Sequence, residues 1–175
     1  MTGDESKFIR RVEQQLTLSG LSTQDSRLWW PRRSMFIRRR GKRRKTLTPI
    51  FPGYLFLETR VFTPDLYRLL RHTDSFVRFL PENLDISPLD EEGTRLIRHF
   101  VSHGEIVRES RVFFDKNNRI VVKEGPLKGL EGSIIKVDRR KGRAKVRLDL
   151  YQESFQIDLA FETMEPATPA AEPSP

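Results

Sequence analysis

The sequence predicts an α+β domain followed by a small β-barrel and a short disordered tail. Three observations carry that expectation. Helical and strand-like patterns alternate, with short connections, through roughly the first hundred residues. Beyond residue 115 only short β-prone runs separated by turn residues remain, with no helical period. At Ile50-Phe51-Pro52-Gly53-Tyr54-Leu55-Phe56-Leu57 a Pro-Gly break leads straight into an aromatic and aliphatic run. Pro cannot donate to a sheet and Gly reaches backbone angles that other residues avoid, so the pair marks a turn feeding a buried strand.

The elements follow in order. Thr2-Gly3-Asp4-Glu5 has the T-x-x-E form in which Thr and Glu satisfy the first free amides of a helix. Phe8, Ile9, Val12 and Leu16 then share one face, so the first helix runs to about Leu18, before Gly20. Trp29 to Ile37 mixes large apolar residues with Arg and reads as a strand. The basic segment around Gly41 makes a loop or hairpin tip, and the strand after Gly53 ends near Glu58. Thr63-Pro64 starts a second helix, with Thr as cap and Pro in its first turn. Its apolar positions are Leu66, Leu69 and Leu70. Phe76 to Leu80 reads as another strand, and Ser87-Pro88 opens a third helix carrying Leu89, Leu96, Ile97 and Phe100.

Residues 1–101 thus form the first domain and 102–115 a polar connection. Ile120–Val122, Gly132–Val137, Ala144–Leu150 and Phe155–Leu159 are short strands within residues 116–165, suited to a small barrel that closes its own edges. Residues 166–175 read Pro-Ala-Thr-Pro-Ala-Ala-Glu-Pro-Ser-Pro, which cannot form a core.

Composition narrows the function classes. Hydrophobic residues make up 37 % of the 175, with 12 Phe, enough to pack cores. Cysteine is absent, which rules out disulfides and thiolate zinc sites and fits a reducing compartment. No apolar run is long enough to span a bilayer and no signal-peptide core follows Met1, so the expectation is a soluble, cytoplasmic protein without a membrane partner. Lys+Arg number 32 against 24 Asp+Glu, a formal charge of +8 that favours polyanions. Between Arg32 and Lys45 stand nine basic residues and no acid: Arg32, Arg33, Arg38, Arg39, Arg40, Lys42, Arg43, Arg44 and Lys45.

Catalysis finds little support. There is no Cys nucleophile, no G-x-S-x-G and no G-x-x-x-x-G-K phosphate loop. His99 and His103 stand four apart on the third helix, but zinc wants three or four ligands. The expectation is a monomeric protein that is not an enzyme and needs no cofactor or metal.

The Phe51-Pro52-Gly53-Tyr54 strand resembles the FPGY strand of the NusG N-terminal domain. Val121-Val122-Lys123-Glu124-Gly125-Pro126-Leu127-Lys128-Gly129-Leu130-Glu131-Gly132 resembles a KOW motif, continued by Val137-Asp138-Arg139-Arg140-Lys141 and Ala144-Lys145-Val146-Arg147-Leu148. In that motif Gly125 and Gly129, with Pro126 between them, allow a tight excursion. Gly132 is expected to avoid a clash where barrel backbones approach closely. Ribosomal proteins also carry lone KOW runs, but an FPGY strand followed about seventy residues later by one is far more specific. Over nearly its whole length the chain is similar to the NusG-like family. The resemblance implies an N-terminal α/β sandwich with an antiparallel sheet, then an SH3-like KOW β-barrel.

Within that family, Pro31-Arg32-Arg33, the Arg/Lys segment and Gly-Pro-Leu-Lys-Gly-Leu-Glu-Gly look closest to the LoaP paralogues, with RfaH-like proteins next. Such paralogues are processive antiterminators that ride on RNA polymerase through chosen long operons. Family members begin with an apolar strand just before a Thr-Gly-x-Glu helix start, whereas here Met1 stands where that strand should be ending. The expectation is a native start further upstream, or a form of low stability.

The resemblance implies docking on the clamp helices of the polymerase's large subunit. Phe51, Pro52, Tyr54 and Phe56 are the matching positions, with Trp29, Trp30 and Phe76 as further candidates. The plain alternative is that most of these aromatics are core, with Tyr54 and Phe56 on one side of the strand and Phe51 off it. The nine cations suit a nascent RNA hairpin or an exposed DNA strand, because Arg pairs with phosphate and stacks on bases; the alternative is a solvated loop. Arg139, Arg140, Lys141, Arg143, Lys145 and Arg147 form a second cluster, flanked by Asp138 and Asp149, and read as a secondary contact. Leu150-Tyr151 matches the strand end that meets ribosomal protein S10 or Rho in NusG, although a barrel-edge aromatic without a partner fits equally. Two other readings stay open: a general elongation factor coupling polymerase to Rho or the ribosome, and a KOW-bearing ribosomal or rRNA-binding protein.

Overall fold

The computed structural model describes residues 4–20 and 25–164. The Thr2 cap, the expected upstream strand and the Pro-rich tail fall outside the described residues. Helix α1 (Glu5–Leu18) buries Phe8, Val12 and Leu16, the stripe that four-residue spacing lays along one face. They pack against Leu66 and Leu70 of α2 (Pro64–His72). That helix begins as expected: Thr63 Oγ1 accepts the Leu66 amide at 3.2 Å. Helix α3 (Glu91–Val101) starts later than Ser87-Pro88 suggested. Asp90 is the cap instead, its carboxylate accepting the Gly93 amide at 2.7 Å.

The expected Trp29–Ile37 strand is two strands, β1 (Ser26–Trp29) and β2 (Arg32–Arg39). They part at Trp30-Pro31, where Pro31 has no N–H to give and its carbonyl accepts the Ile50 amide at 2.9 Å. β2 pairs antiparallel with β3 (Lys42–Pro49), and β1 pairs antiparallel with β4 (Phe56–Thr59). The basic segment is therefore a hairpin arm with only a two-residue tip. Arg40 and Gly41 both take positive φ, 51° and 75°, the turn whose twist matches that of the strands.

Phe76–Leu80 is not a strand. Among the described residues no ladder lies beside it, and its aromatics are used in packing. Phe76 and Phe79 lie 5.0 Å apart, with Phe8 of α1 6.3 Å from Phe76.

Residues 102–115, read as a polar connection, hold β5 (Ile106–Val107), which runs parallel to the start of β2, and β6 (Ser110–Phe114). β6 belongs to the second sheet, with β7 (Ile120–Glu124), β8 (Ile134–Asp138), β9 (Arg143–Leu150) and β10 (Glu153–Thr163), in the order β7-β6-β10-β9-β8. Ala144, Val146, Leu148 and Leu150 alternate inward along β9. The sheet curls into a half-barrel whose end strands β7 and β8 share no ladder. Between them come the buried Pro126 and Leu127 and a 3-10 turn, Glu131–Ser133.

Gly132 does not play the part expected of it, since an added Cβ would meet nothing within 4 Å. The close approach falls at Gly125, where φ is +95° and a Cβ would lie 2.7 Å from Ser110 Cα. Ser110 Oγ in turn accepts the Leu127 amide at 2.9 Å. Gly129 also has positive φ but faces open space. Gly125→Ala should therefore destabilise the barrel by about 1–3 kcal/mol more than Gly129→Ala. Chemical denaturation followed through barrel amide resonances checks this, and equal losses would contradict it.

Candidate functional site

The Pro52-Gly53 turn, with Gly53 at φ +84°, folds Phe51 back toward the strand it precedes. Phe51 is 1 % exposed and meets Phe56 at 5.6 Å, Phe100 of α3 at 6.0 Å and Phe155 of β10 at 5.3 Å, each edge to face. Tyr54 meets the same Phe155 at 5.6 Å. Phe51, expected off the Tyr54 and Phe56 side, thus shares Phe155 with Tyr54 and also meets Phe56. The candidates separate into different environments. Phe51, Tyr54 and Phe56 line the seam between the domains, and Pro52 is exposed. Phe76 belongs to the α1–α2 cluster. Trp29 donates Nε1–H to Glu58 at 2.8 Å under the Arg27 guanidinium, and Arg32 lies 4.7 Å over the Trp30 ring.

The seam has polar ties as well. His99 on α3 bonds the Pro126 carbonyl through Nε2 at 2.8 Å, and His103 Nδ1 lies 2.9 Å from the His99 carbonyl. Both imidazoles are thus engaged, and among the described residues no group of three or more His, Asp or Glu could hold a metal. Burial, then a hydrogen bond to Glu153 and the charge of that carboxylate, raise Tyr54 above the ordinary tyrosine value of 10.0. Leu150 is buried and Tyr151 half-buried. Both line a cleft of about 120 Å³ against Asp90, Glu92 and Gly93 at the start of α3. The positions matched to a Rho or ribosomal contact thus face the N-terminal domain.

The nine cations divide. Arg32 lies 3.6 Å from Glu105. Arg33 donates to the Pro49 carbonyl at 3.1 Å. Burial pulls its guanidinium below the usual arginine range, and Arg143 adds to that while Asp158 opposes it. Arg33 stays a cation, since arginine does not lose its proton in proteins. Both side chains have partners within the fold. Arg40, Lys42, Arg44 and Lys45 are exposed along the arm. In the backbone register Arg38 pairs with Arg43 and Arg39 with Lys42. In the second cluster, Arg139 lies over the Phe114 ring at 3.5 Å and Arg147 lies 3.9 Å from Asp149. Arg143 reaches across to donate to the Phe36 carbonyl on β2, tying the barrel to the arm.

Sequence reasoning missed Phe155, Glu153 and the Arg143 link. Each looks like an ordinary barrel residue, and only tertiary packing gives it a role. If Tyr54 fastens the seam, its neutral form favours closure, so closure is complete below pH 10.0 and lost as pH rises through the raised tyrosine value. A pH titration of interdomain NMR shifts should show this alkaline step in the native chain and not in Tyr54→Phe. An equal step in both would contradict it.

A family model described as "Transcription termination factor nusG" matches residues 4–98, more than half of the chain. The chain is 23 % identical over 165 residues to the "Transcription termination/antitermination protein NusG" of Buchnera aphidicola, covering 94 % of this chain and 91 % of that one. The protein of the same name from Halalkalibacterium halodurans is 23 % identical over 168 residues, covering 94 % and 93 %. That from Pseudomonas aeruginosa is 22 % identical over 166 residues, again covering 94 % and 93 %. With an α/β domain joined to a curled β half-barrel, and relatives that align along almost its entire length, the chain belongs to the NusG family.

Proposed function

We propose that this protein is a transcription elongation regulator that binds RNA polymerase and acts as a specialised processive antiterminator, recruited through nucleic acid. The observation that carries the reading is the β2–β3 arm. It concentrates cations without an acid on a paired two-stranded scaffold, more than solubility requires. Such an arm holds its charges at fixed spacing, which suits the phosphates of an RNA hairpin or an exposed DNA strand. The LoaP-like wording of the arm and of the KOW run supports the same assignment.

Polymerase docking on the clamp helices uses Phe51, Pro52, Tyr54 and Phe56. With Phe155 packed against Phe51 and Tyr54, docking requires the barrel to leave that face. Its departure also frees Leu150 and Tyr151 for ribosomal protein S10 or Rho. The relatives' names, which join termination to antitermination, favour a second reading, a general elongation factor that couples polymerase to Rho or the ribosome.

The deciding experiment is in vitro transcription through an intrinsic terminator, with and without candidate leader sequences. The specialised reading expects leader-dependent read-through that Arg38/Arg39/Arg40→Ala abolishes while polymerase binding persists. The same triple change should lower the salt slope of RNA binding by about 2–3. Polymerase binding without read-through would establish the general factor, and no polymerase binding would overturn both readings.

A further inference from the structure

We propose that a cleft on the barrel, between β8, β9 and β10, is a phosphate-binding subsite. It extends the basic arm into one nucleic-acid track across both domains. The proposal rests on the reading of the arm as a nucleic-acid contact.

The cleft has a volume of about 200 Å³ and is lined by Lys136, Asp138, Lys141, Arg143, Lys145 and Asp158. Its carboxylates are already engaged. Asp138 Oδ1 accepts the Lys141 amide at 3.0 Å while Oδ2 lies 3.4 Å from Lys141 Nζ, and Asp158 lies 3.8 Å from Lys145 Nζ. Among the described residues, Lys136 and Arg143 have no carboxylate within ion-pair distance. Lys136 also stands directly opposite Lys145 across the β8–β9 ladder. Like charges at that position repel, and an anion seated between them removes the repulsion.

Arg143 joins the cleft to the arm. One of its Nη groups is given to the Phe36 carbonyl, which fixes the guanidinium and leaves further donors of a planar fork that matches phosphate. Phe36 lies opposite Lys45, and from there the ladder pairs Ile37 with Arg44, Arg38 with Arg43, and Arg39 with Lys42. The five steps from Phe36 to Gly41 span roughly 16 Å at strand rise. A duplex strand presents about five phosphates over that length. A linear polyanion running along the arm from its tip therefore meets the cleft about midway, at Phe36. A phosphodiester backbone has the charge spacing to occupy both.

The test measures fluorescence anisotropy of the full chain with a labelled RNA hairpin and with single-stranded DNA, across a salt series. Lys136→Ala with Lys141→Ala should weaken binding about 3- to 30-fold and lower the log–log salt slope by up to about 2. Asp138→Asn keeps the acceptor for the Lys141 amide and removes a charge from the cleft, so it should tighten binding several-fold. A fold defect does not mimic that gain. Asp65→Asn on α2, the same charge change outside the cleft, should leave affinity unaltered. A larger effect on one of the two nucleic acids identifies which backbone the cleft takes. If the arm variant Arg38/Arg39/Arg40→Ala weakens binding while the cleft variants leave affinity and slope unchanged, the subsite is overturned and the arm stands. If the unaltered chain binds neither nucleic acid in a salt-dependent way, the arm reading falls and the subsite with it.

Discussion

The structure turns on the packing of Phe51 against Phe155. Each ring buries a large apolar area, and edge-to-face contacts add to it because a positive ring edge meets a negative face. Phe51 makes three such contacts, one within its own segment, one with α3 and one with the barrel. As a result the two domains share a single apolar core, from Ile50 and Phe100 on one side to Leu150 and Leu159 on the other. The α1–α2 cluster is separate.

A shared core constrains function, because the same apolar face cannot pack on the barrel and on a partner at once. In the proposed mechanism, affinity for polymerase is reduced by the fraction of molecules that are closed. The β2–β3 arm contributes no residue to that shared core, so its exposed cations stand outside this competition. Arg143 nevertheless couples the two, because the group that ties barrel to arm also lines the barrel cleft. Opening the seam would separate the two halves of the proposed track, so nucleic acid held along both halves favours closure.

Much of this fold was legible in the sequence, and the reason differs by element. Helix α1 could be read from Phe8, Val12 and Leu16, and the start of α2 from Thr63-Pro64, because local spacing and capping decide them. The start of α3 was misplaced because Asp90 out-competes Ser87 as the cap, a choice made by geometry within one turn. Phe76–Leu80 reads as a strand by composition, but a strand needs a ladder, and its rings pack on the helices instead. Gly125 and Gly132 look alike in the motif, yet only the first lies against another backbone. The basic arm was visible as a charge run. The seam was not, because nothing in the letters says which barrel phenylalanine meets which N-terminal one.

The central claim is that the closed seam covers the face proposed to meet polymerase. The chain has no cysteine, so Arg10→Cys on the exposed side of α1 and Lys116→Cys in the β6–β7 turn give a unique pair of label sites. Interdomain distances measured between spin labels at these positions, free and on polymerase, test the claim most directly. The account requires one narrow distance distribution in the free protein and a longer, broader one on polymerase. An unchanged narrow distance in a polymerase-bound sample would contradict it, as would a free protein already as broadly distributed as the bound one.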